Sequence, residues 1–80
     1  MRISPKLKTE KTGFVKKLSE LLKLDPRSEV DCMWYDTYEQ WDTFEEYVCI
    51  RFTSGVVKKI NVSADSCYGI IEDVTEAVYG

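Results

Sequence analysis

The chain has 80 residues, of which 44% are hydrophobic and 12% aromatic, and a formal net charge of −3. This length predicts one small domain with a single core and leaves little room for a deep substrate cleft. Three cysteines without CxxC spacing and the absence of histidine favour reduced thiols in a cytoplasmic protein over a zinc site or a Cys–His nucleophile.

Charge is distributed unevenly along the chain. Residues 1–24 hold seven Lys and Arg residues and two acids, whereas residues 25–46 hold eight acids and Arg27 alone. No segment approaches the roughly 20 apolar residues of a membrane span, and none has the apolar region of a signal peptide. We therefore expect an electrostatically polar protein that does not enter a membrane.

The sequence predicts a short N-terminal arm followed by one domain. Residues 1–11 mix Pro5 with several lysines without periodicity, which indicates a flexible basic arm, and residues 12–80 are expected to form a single α+β domain. Thr12 is a candidate cap for a helix from about Gly13 to Leu24, whose apolar face holds Phe14, Leu18, Leu21 and Leu22. Asp25-Pro26 ends this helix.

Three strands and a second helix follow. Alternation predicts strands over residues 30–36, 46–53 and 56–62. A three-residue loop with Gly55 in the left-handed conformation places Phe52 opposite Val56 and gathers the apolar residues on one face. The last helix, capped by Ser63 or Asp65, carries an apolar stripe of Cys67, Ile70, Ile71, Val74, Ala77 and Val78. The predicted fold is a three-stranded antiparallel meander with the N- and C-terminal helices on one face, in the order α-β-β-β-α.

The segment YDTYEQWDTFEEY, residues 35–47, has an aromatic residue at every third position. Pairing Trp34 with Val48 places Trp34, Cys32 and Val30 in the core, and it sets Asp31 against Arg51 on the outer face. A tip near Thr37–Phe44 then follows, where a capping-box pattern predicts one helical turn.

This acidic, aromatic hairpin is the predicted site of partner binding. Carboxylates surround Trp41, which has no evident buried partner, and aromatic anchors with acidic neighbours suit a basic protein surface. The predicted binding residues are Asp31, Tyr35, Asp36, Tyr38, Glu39, Trp41, Asp42, Glu45, Glu46 and Tyr47. The uncovered sheet face is also expected to be apolar, with Met33, Tyr35, Tyr47, Cys49 and Val57, so a homodimer through this open face is an alternative.

Other classes of function fit less well. The carboxylates lie on a hairpin tip, where water keeps their acidity ordinary. The chain also has no glycine-rich phosphate loop. We therefore expect no enzyme activity, no cofactor and no metal. A nucleic-acid binder acting through the basic N-terminal region is a further alternative, although the sequence pI of about 4.9 argues against direct nucleic-acid binding.

Residues 47–74, YVCIRFTSGVVKKINVSADSCYGIIEDV, resemble the strand, turn, strand and helix of small phage and mobile-element proteins. Together with the size and the acidic hairpin, this segment is similar to anti-CRISPR inhibitors of Cas nucleases. The resemblance implies an inhibitor in the cytoplasm of a bacterial host cell, with carboxylates that occupy a nucleic-acid-binding surface of a partner protein. A structural or regulatory phage protein that self-associates remains the alternative.

Overall fold

A computed structural model describes residues 4–80 of the chain. Helix α1 spans Pro5–Lys23, strands β1, β2 and β3 span Val30–Gln40, Thr43–Phe52 and Val57–Asn61, and helix α2 spans Cys67–Tyr79. The strands form one antiparallel sheet in the order β1-β2-β3. The predicted α+β fold with α-β-β-β-α order is therefore confirmed.

Helix α1 begins earlier than the sequence pattern predicted. Ser4 caps the helix by accepting a hydrogen bond from the Leu7 amide at 3.2 Å, and Pro5 occupies the first turn, where a missing N–H costs nothing. The predicted start near Gly13 is therefore wrong, and residues 5–11 are helical rather than part of a flexible arm. The first three residues of that predicted arm lie outside the described residues.

The core lies between one face of the sheet and both helices. Valine, isoleucine and methionine side chains from both helices, from β1 and β2 and from the residue after β3 meet there, and most of them expose almost no surface. This buried cluster consists of Val15, Val30, Met33, Val48, Ile50, Val62, Ile70 and Val74. The opposite face of the sheet, called the outer face below, contributes no member to this cluster.

The loop between β2 and β3 matches its prediction. The Phe52 amide donates to the Val56 carbonyl at 2.9 Å, and Gly55 has a φ of 93°, a conformation that glycine adopts without steric cost. Val48 consequently pairs with Ile60, which confirms the pairing predicted for a three-residue loop.

A bulge in β1 overturns the predicted pairing of β1 with β2. Val30 lies opposite Phe52 as expected, but Asp31 is an extra residue and Cys32 lies opposite Arg51 instead of Ile50. The Met33 amide next to the bulge donates to Ser19 Oγ of α1 at 2.8 Å. This hydrogen bond to the helix thus helps to hold the irregular strand.

The bulge reverses the faces of the following residues, because side chains alternate along a strand. Met33 is 5% exposed and belongs to the core, and Tyr35 packs against the core. Trp34, which was predicted to be buried, lies on the outer face opposite Cys49 and is 41% exposed. The prediction that Met33 and Tyr35 lie on the outer face is wrong for the same reason.

The hairpin tip contains no helical turn. Strand pairing continues to Gln40 and Thr43, so only Trp41 and Asp42 form the turn. Continued pairing satisfies the backbone groups that a helical turn would also have satisfied, and it needs no break in either strand. The capping-box interpretation of Thr37–Gln40 is therefore wrong.

Helix α2 packs through fewer residues than its stripe indicated. Ser66, rather than Ser63 or Asp65, caps the helix by accepting from the Gly69 amide at 3.2 Å. Ile70 and Val74 are buried, whereas Ile71 is 40% exposed and lies at the edge of the interface. A hydrogen bond at 2.6 Å from the Tyr79 hydroxyl to Asp25 joins the end of α2 to the segment that follows α1.

Two helical glycines are expected to respond oppositely to alanine. Gly13→Ala should stabilise the protein by about 0.5–1 kcal/mol, because the new methyl group meets no atom within 4 Å and alanine favours the helix. At Gly69 a Cβ atom would lie 3.1 Å from Cγ of Asp65, so Gly69→Ala should destabilise. Thermal unfolding of the two variants beside the parent protein measures both effects. A stabilised Gly69→Ala variant would show that Asp65 does not pack over α2.

Candidate protein interface on the hairpin

The hairpin extends beyond the three-stranded part of the sheet. The last residue pair of β2 with β3 is Tyr47 with Asn61, whereas β1 and β2 remain paired as far as Gln40 and Thr43. This two-stranded ribbon projects by roughly 10 Å, since a strand rises about 3.3 Å per residue. The longest dimension of the molecule is 39 Å, compared with 21 and 18 Å for the others. The outer face of the ribbon is therefore open to a partner, whereas α1 covers its inner face at Glu46.

Aromatic rings and carboxylates alternate on the outer face of the ribbon. Asp36 lies opposite Tyr47, and Tyr38 lies opposite Glu45 in the next row. Trp41 at the tip is 100% exposed. Seven residues form what we call the outer hairpin surface: Trp34, Asp36, Tyr38, Trp41, Asp42, Glu45 and Tyr47.

Contacts between neighbouring side chains fix part of this surface. The Tyr47 hydroxyl donates to Oε2 of Glu45, and this hydrogen bond, followed by burial, raises the pKa of Tyr47. Lys59 Nζ lies over the same ring, 4.2 Å from its centroid, in a cation–π contact. Tyr47 is therefore oriented before any partner arrives, which lowers the entropy lost on binding.

Cys49 lies beneath this surface and not on it. It is 7% exposed between Trp34 and Lys59, its cross-strand neighbours on the outer face. Burial raises the pKa of the Cys49 thiol, and the charge of Asp36 adds to this shift. The thiol is consequently neutral and poorly nucleophilic at neutral pH.

Glu46 was predicted to bind a partner, but the structure places it in a buried network. Its side chain is 4% exposed and forms an ion pair at 2.7 Å with Lys11, which is equally buried. The Tyr35 hydroxyl donates to the same carboxylate at 2.6 Å, and the Ala64 amide donates to it at 2.9 Å. Glu46 and Tyr35 therefore link the sheet to α1 and do not belong to the exposed surface.

Every charge in this network has a partner, as buried charges require. Burial raises the pKa of Glu46, but the hydrogen bonds from Lys11, Tyr35 and Ala64 outweigh burial, and the net effect lowers the pKa. Ala64 has a φ of 64°, which is uncommon outside glycine, and this conformation accompanies the bond from its amide to Glu46. The sequence pattern did not reveal Lys11 as a buried partner, because it placed that residue in the arm.

The remaining predicted residues lie in different places. Asp31, at the bulge, binds Arg51 at 3.1 Å and lies 3.9 Å from Lys23, so it is distant from the tip. Glu39 is exposed on the face of the ribbon opposite the outer hairpin surface, in the row of Phe44. Trp34 is the surface residue that sequence reasoning missed, since the bulge that exposes it has no clear signature in the sequence.

A second pair of acids meets at the start of α2. Asp65 lies over Gly69, and its carboxyl is hydrogen-bonded to that of Asp73 when the two share a proton. This bond, followed by burial, raises the pKa of Asp65 to about 6, although the charge of Lys11 opposes the shift. A raised pKa means that the folded state holds this proton more tightly than the unfolded chain does.

Asp65→Asn is therefore expected to stabilise the protein at pH 7.5 and to change little at pH 4. The contribution of the Asp65 proton is complete below the unfolded pKa near 3.8 and is lost as the pH rises through about 6. An asparagine amide donates to Asp73 at every pH, and the gain should be about 1 kcal/mol because solvent screens part of the effect. Urea unfolding at both pH values measures this gain in stability, with Asp36→Asn as a control. Equal stability of Asp65→Asn and the parent at pH 7.5 would contradict the shared proton.

Comparisons with known proteins identify no relative of the chain. No protein-family model matches the chain, and neither a curated protein nor a solved structure matches it. Within residues 4–80, no helix is both long and apolar enough to cross a membrane. The same residues contain no group of three or more acidic or cysteine side chains arranged to hold a metal ion.

Proposed function

We propose that the protein is a non-enzymatic interaction module whose acidic hairpin docks on a basic surface of another protein. The observation that carries this proposal is the projecting ribbon, with Trp41 fully exposed at its tip and Asp36, Asp42 and Glu45 around it. No lysine or arginine lies between Arg27 and Arg51 in the sequence. The field of the ribbon therefore favours a cationic partner.

The outer hairpin surface combines two sources of binding energy. An exposed tryptophan that becomes buried is a common hot spot and contributes about 2 kcal/mol or more to the affinity. Carboxylates at the rim contribute less to affinity but raise the association rate with a basic partner. The rigid strands hold both kinds of group at fixed spacing, which reduces the entropy cost of docking.

The narrower form of the proposal is an inhibitor encoded by a phage or mobile element, in the manner of anti-CRISPR proteins. In this form, the carboxylates of the ribbon occupy a site on the partner that normally receives nucleic-acid phosphates. A ribbon of roughly 10 Å is long enough to enter a groove of that kind. Support for this form comes from the ribbon's charge and shape and from the resemblance of residues 47–74 to small phage and mobile-element proteins. Such an inhibitor would act in the cytoplasm of a bacterial host cell.

Self-association through the outer face is a second candidate. Trp34 is 41% exposed and Val57 is 53% exposed on that face, which neither helix of residues 4–80 covers. Exposed apolar residues on a strand face favour contact with a second copy. This association should persist at high salt, whereas docking of the acidic ribbon should weaken.

The test is affinity capture from bacterial lysate with matched charge reversals. Asp42→Lys with Glu45→Lys should abolish capture of a basic partner, because the reversed charges repel it. Glu10→Lys with Glu72→Lys makes the same change in net charge at exposed positions on α1 and α2, and it should capture the partner as the parent does. Thermal unfolding of both variants controls for loss of structure.

Two results would contradict the proposal. If the hairpin variant folds and still captures the same partner, the acidic ribbon is not the interface. If instead both variants lose the partner equally, net charge and not the outer hairpin surface governs binding.

A further inference from the structure

The outer face of the sheet carries opposite charges at its two ends. On the central strand β2, the side chains of this face run from Glu45 in the ribbon through Tyr47 to Arg51. Asp42 in the turn extends the acidic end, and Lys59 of β3 lies near Arg51 at the other end. We call the part of the outer face that holds Arg51 and Lys59 its basic end.

The basic end has more positive charge than it neutralises by itself. Arg51 and Lys23 lie 3.1 and 3.9 Å from Asp31, so two cations face one carboxylate. Lys59 contacts the ring of Tyr47 and forms no ion pair within residues 4–80. Both Arg51 and Lys59 are exposed. Positive charge therefore remains available to carboxylates from another molecule.

The acids and the cations lie at similar distances on either side of Tyr47. Glu45 precedes Tyr47 by two residues, and Lys59 lies in the row two residues after it. Asp42 precedes Tyr47 by five residues, and Arg51 follows it by four. Because a strand rises about 3.3 Å per residue, a two-fold axis that crosses the strands at Tyr47 brings each acid close to a cation of a second copy.

We propose that the outer faces of two copies pack against each other with their strands antiparallel, so that the ribbon of each copy lies on the basic end of the other. Glu45 then meets Lys59 of the second copy, and Asp42 meets Arg51 of the second copy. A parallel arrangement opposes acids to acids and cations to cations, and such contacts are unfavourable. Charge complementarity therefore selects both the second copy as occupant and its direction.

Exposed aromatic side chains supply the apolar part of this contact. Tyr38 is 45% exposed and Trp34 is 41% exposed, and they lie two residues on either side of Asp36 in β1. The antiparallel arrangement brings Tyr38 against Trp34 of the second copy, a favourable aromatic pair. The contact buries roughly 800 Å² in total, given its length of roughly 26 Å and a width of two to three strands, which is small for a stable dimer. The dimer should therefore be reversible and form at high protein concentration.

This inference rests on self-association through the outer face, the second candidate function, and specifies its geometry. In the dimer the outer hairpin surface of each copy is covered. Dimerisation and docking on a basic partner therefore exclude each other. Capture of a basic partner from lysate and dimerisation of the pure protein are separate measurements, so the failure of one proposal is distinguishable from the failure of the other.

The test is sedimentation equilibrium of the pure protein between about 10 µM and 1 mM, with paired charge reversals. The parent should approach twice the chain mass of 9.3 kDa at the upper concentration. Asp42→Lys with Glu45→Lys should weaken dimerisation at least tenfold, because like charges then meet, and so should Arg51→Glu with Lys59→Glu. An equimolar mixture of these two variants should restore the dimer, since opposite charges again meet at both ends.

A control variant separates this pattern from the effect of net charge. Glu10→Lys with Glu72→Lys has the same net charge as the ribbon variant, but its substitutions lie on the helices. It should dimerise as the parent does, and it should not restore a dimer when mixed with Arg51→Glu, Lys59→Glu. Thermal unfolding checks that each variant is folded.

Chemical shifts of backbone amides map the contact in the parent protein without any substitution. Dilution from about 1 mM should change the shifts of Trp34, Tyr38 and Tyr47, while those of Ile70 in the core stay constant. The proposal is overturned if the parent remains monomeric at 1 mM or if the shift changes map to the helices. Dimerisation of either charge variant alone, or a mixture of the two folded variants that stays monomeric, would also overturn it.

Discussion

Lys11→Met is expected to destabilise the protein by about 3 kcal/mol at pH 7, a large share of the total for a domain of this size. The substitution leaves Glu46 buried without its ion pair, with only the Tyr35 hydroxyl and the Ala64 amide as donors to its carboxylate. Burial would then raise the pKa of Glu46, so the loss should become smaller at pH 4, where Glu46 takes up a proton.

Urea unfolding at pH 7 and pH 4 measures this effect, with Lys16→Met as the matched control on the exposed side of α1. The double variant Lys11→Met with Glu46→Gln should recover part of the lost stability, because it removes the unpaired charge. A Lys11→Met variant as stable as Lys16→Met would mean that the Lys11–Glu46 pair contributes nothing to folding.

Ile70→Asp is expected to unfold the domain, whereas Ile71→Asp should leave it folded. Ile70 is fully buried in the core, and an unpaired carboxylate there costs several kcal/mol against a stability of about 5 kcal/mol. Ile71 is 40% exposed, so its carboxylate remains hydrated at the helix edge. Circular dichroism with thermal melting distinguishes the two variants. Unfolding by Ile71→Asp and not by Ile70→Asp would show that α2 is rotated about its axis.

Patterns of short range were sufficient to predict most of the fold. The apolar alternation of β2 and β3 and the glycine of their loop specified the pairing of Val48 with Ile60. The stripe of α2 located Ile70 and Val74 in the core, but its width did not show that Ile71 lies at the edge. Periodicity locates a helix face more reliably than it locates the limits of that face.

The errors came from contacts between elements distant in sequence. The bulge at Asp31 is accompanied by a hydrogen bond between Met33 and Ser19 of α1, and it reverses the faces of Trp34 and Tyr35. In the sequence, Glu46 is one of several neighbouring acids, and nothing near it indicates its ion pair with Lys11. An isolated sequence contains no local signal for either contact. Because of them the candidate interface lost Tyr35 and Glu46, besides Asp31 and Glu39, and gained Trp34.

The outer hairpin surface is a consequence of unequal strand lengths. Strand β3 has 5 residues, whereas β1 and β2 have 11 and 10 residues, so the ribbon has no third strand beside its tip. Without such a neighbour, Trp41 has nothing within the described residues to bury it, and it is fully exposed. The same lengths leave Asp36 and Asp42 on the outer hairpin surface hydrated, where they can act at a distance on a charged partner.

The most direct test of the central claim is the association rate of the captured partner with the parent protein as salt increases from 50 to 500 mM. We expect the rate to fall at least tenfold, since salt screens attraction between an acidic ribbon and a basic site. Trp41→Ala should leave this rate nearly unchanged and accelerate dissociation by about 30-fold, the equivalent of about 2 kcal/mol. An association rate that is independent of salt, together with unchanged dissociation of the Trp41→Ala variant, would contradict the assignment of the hairpin as the interface.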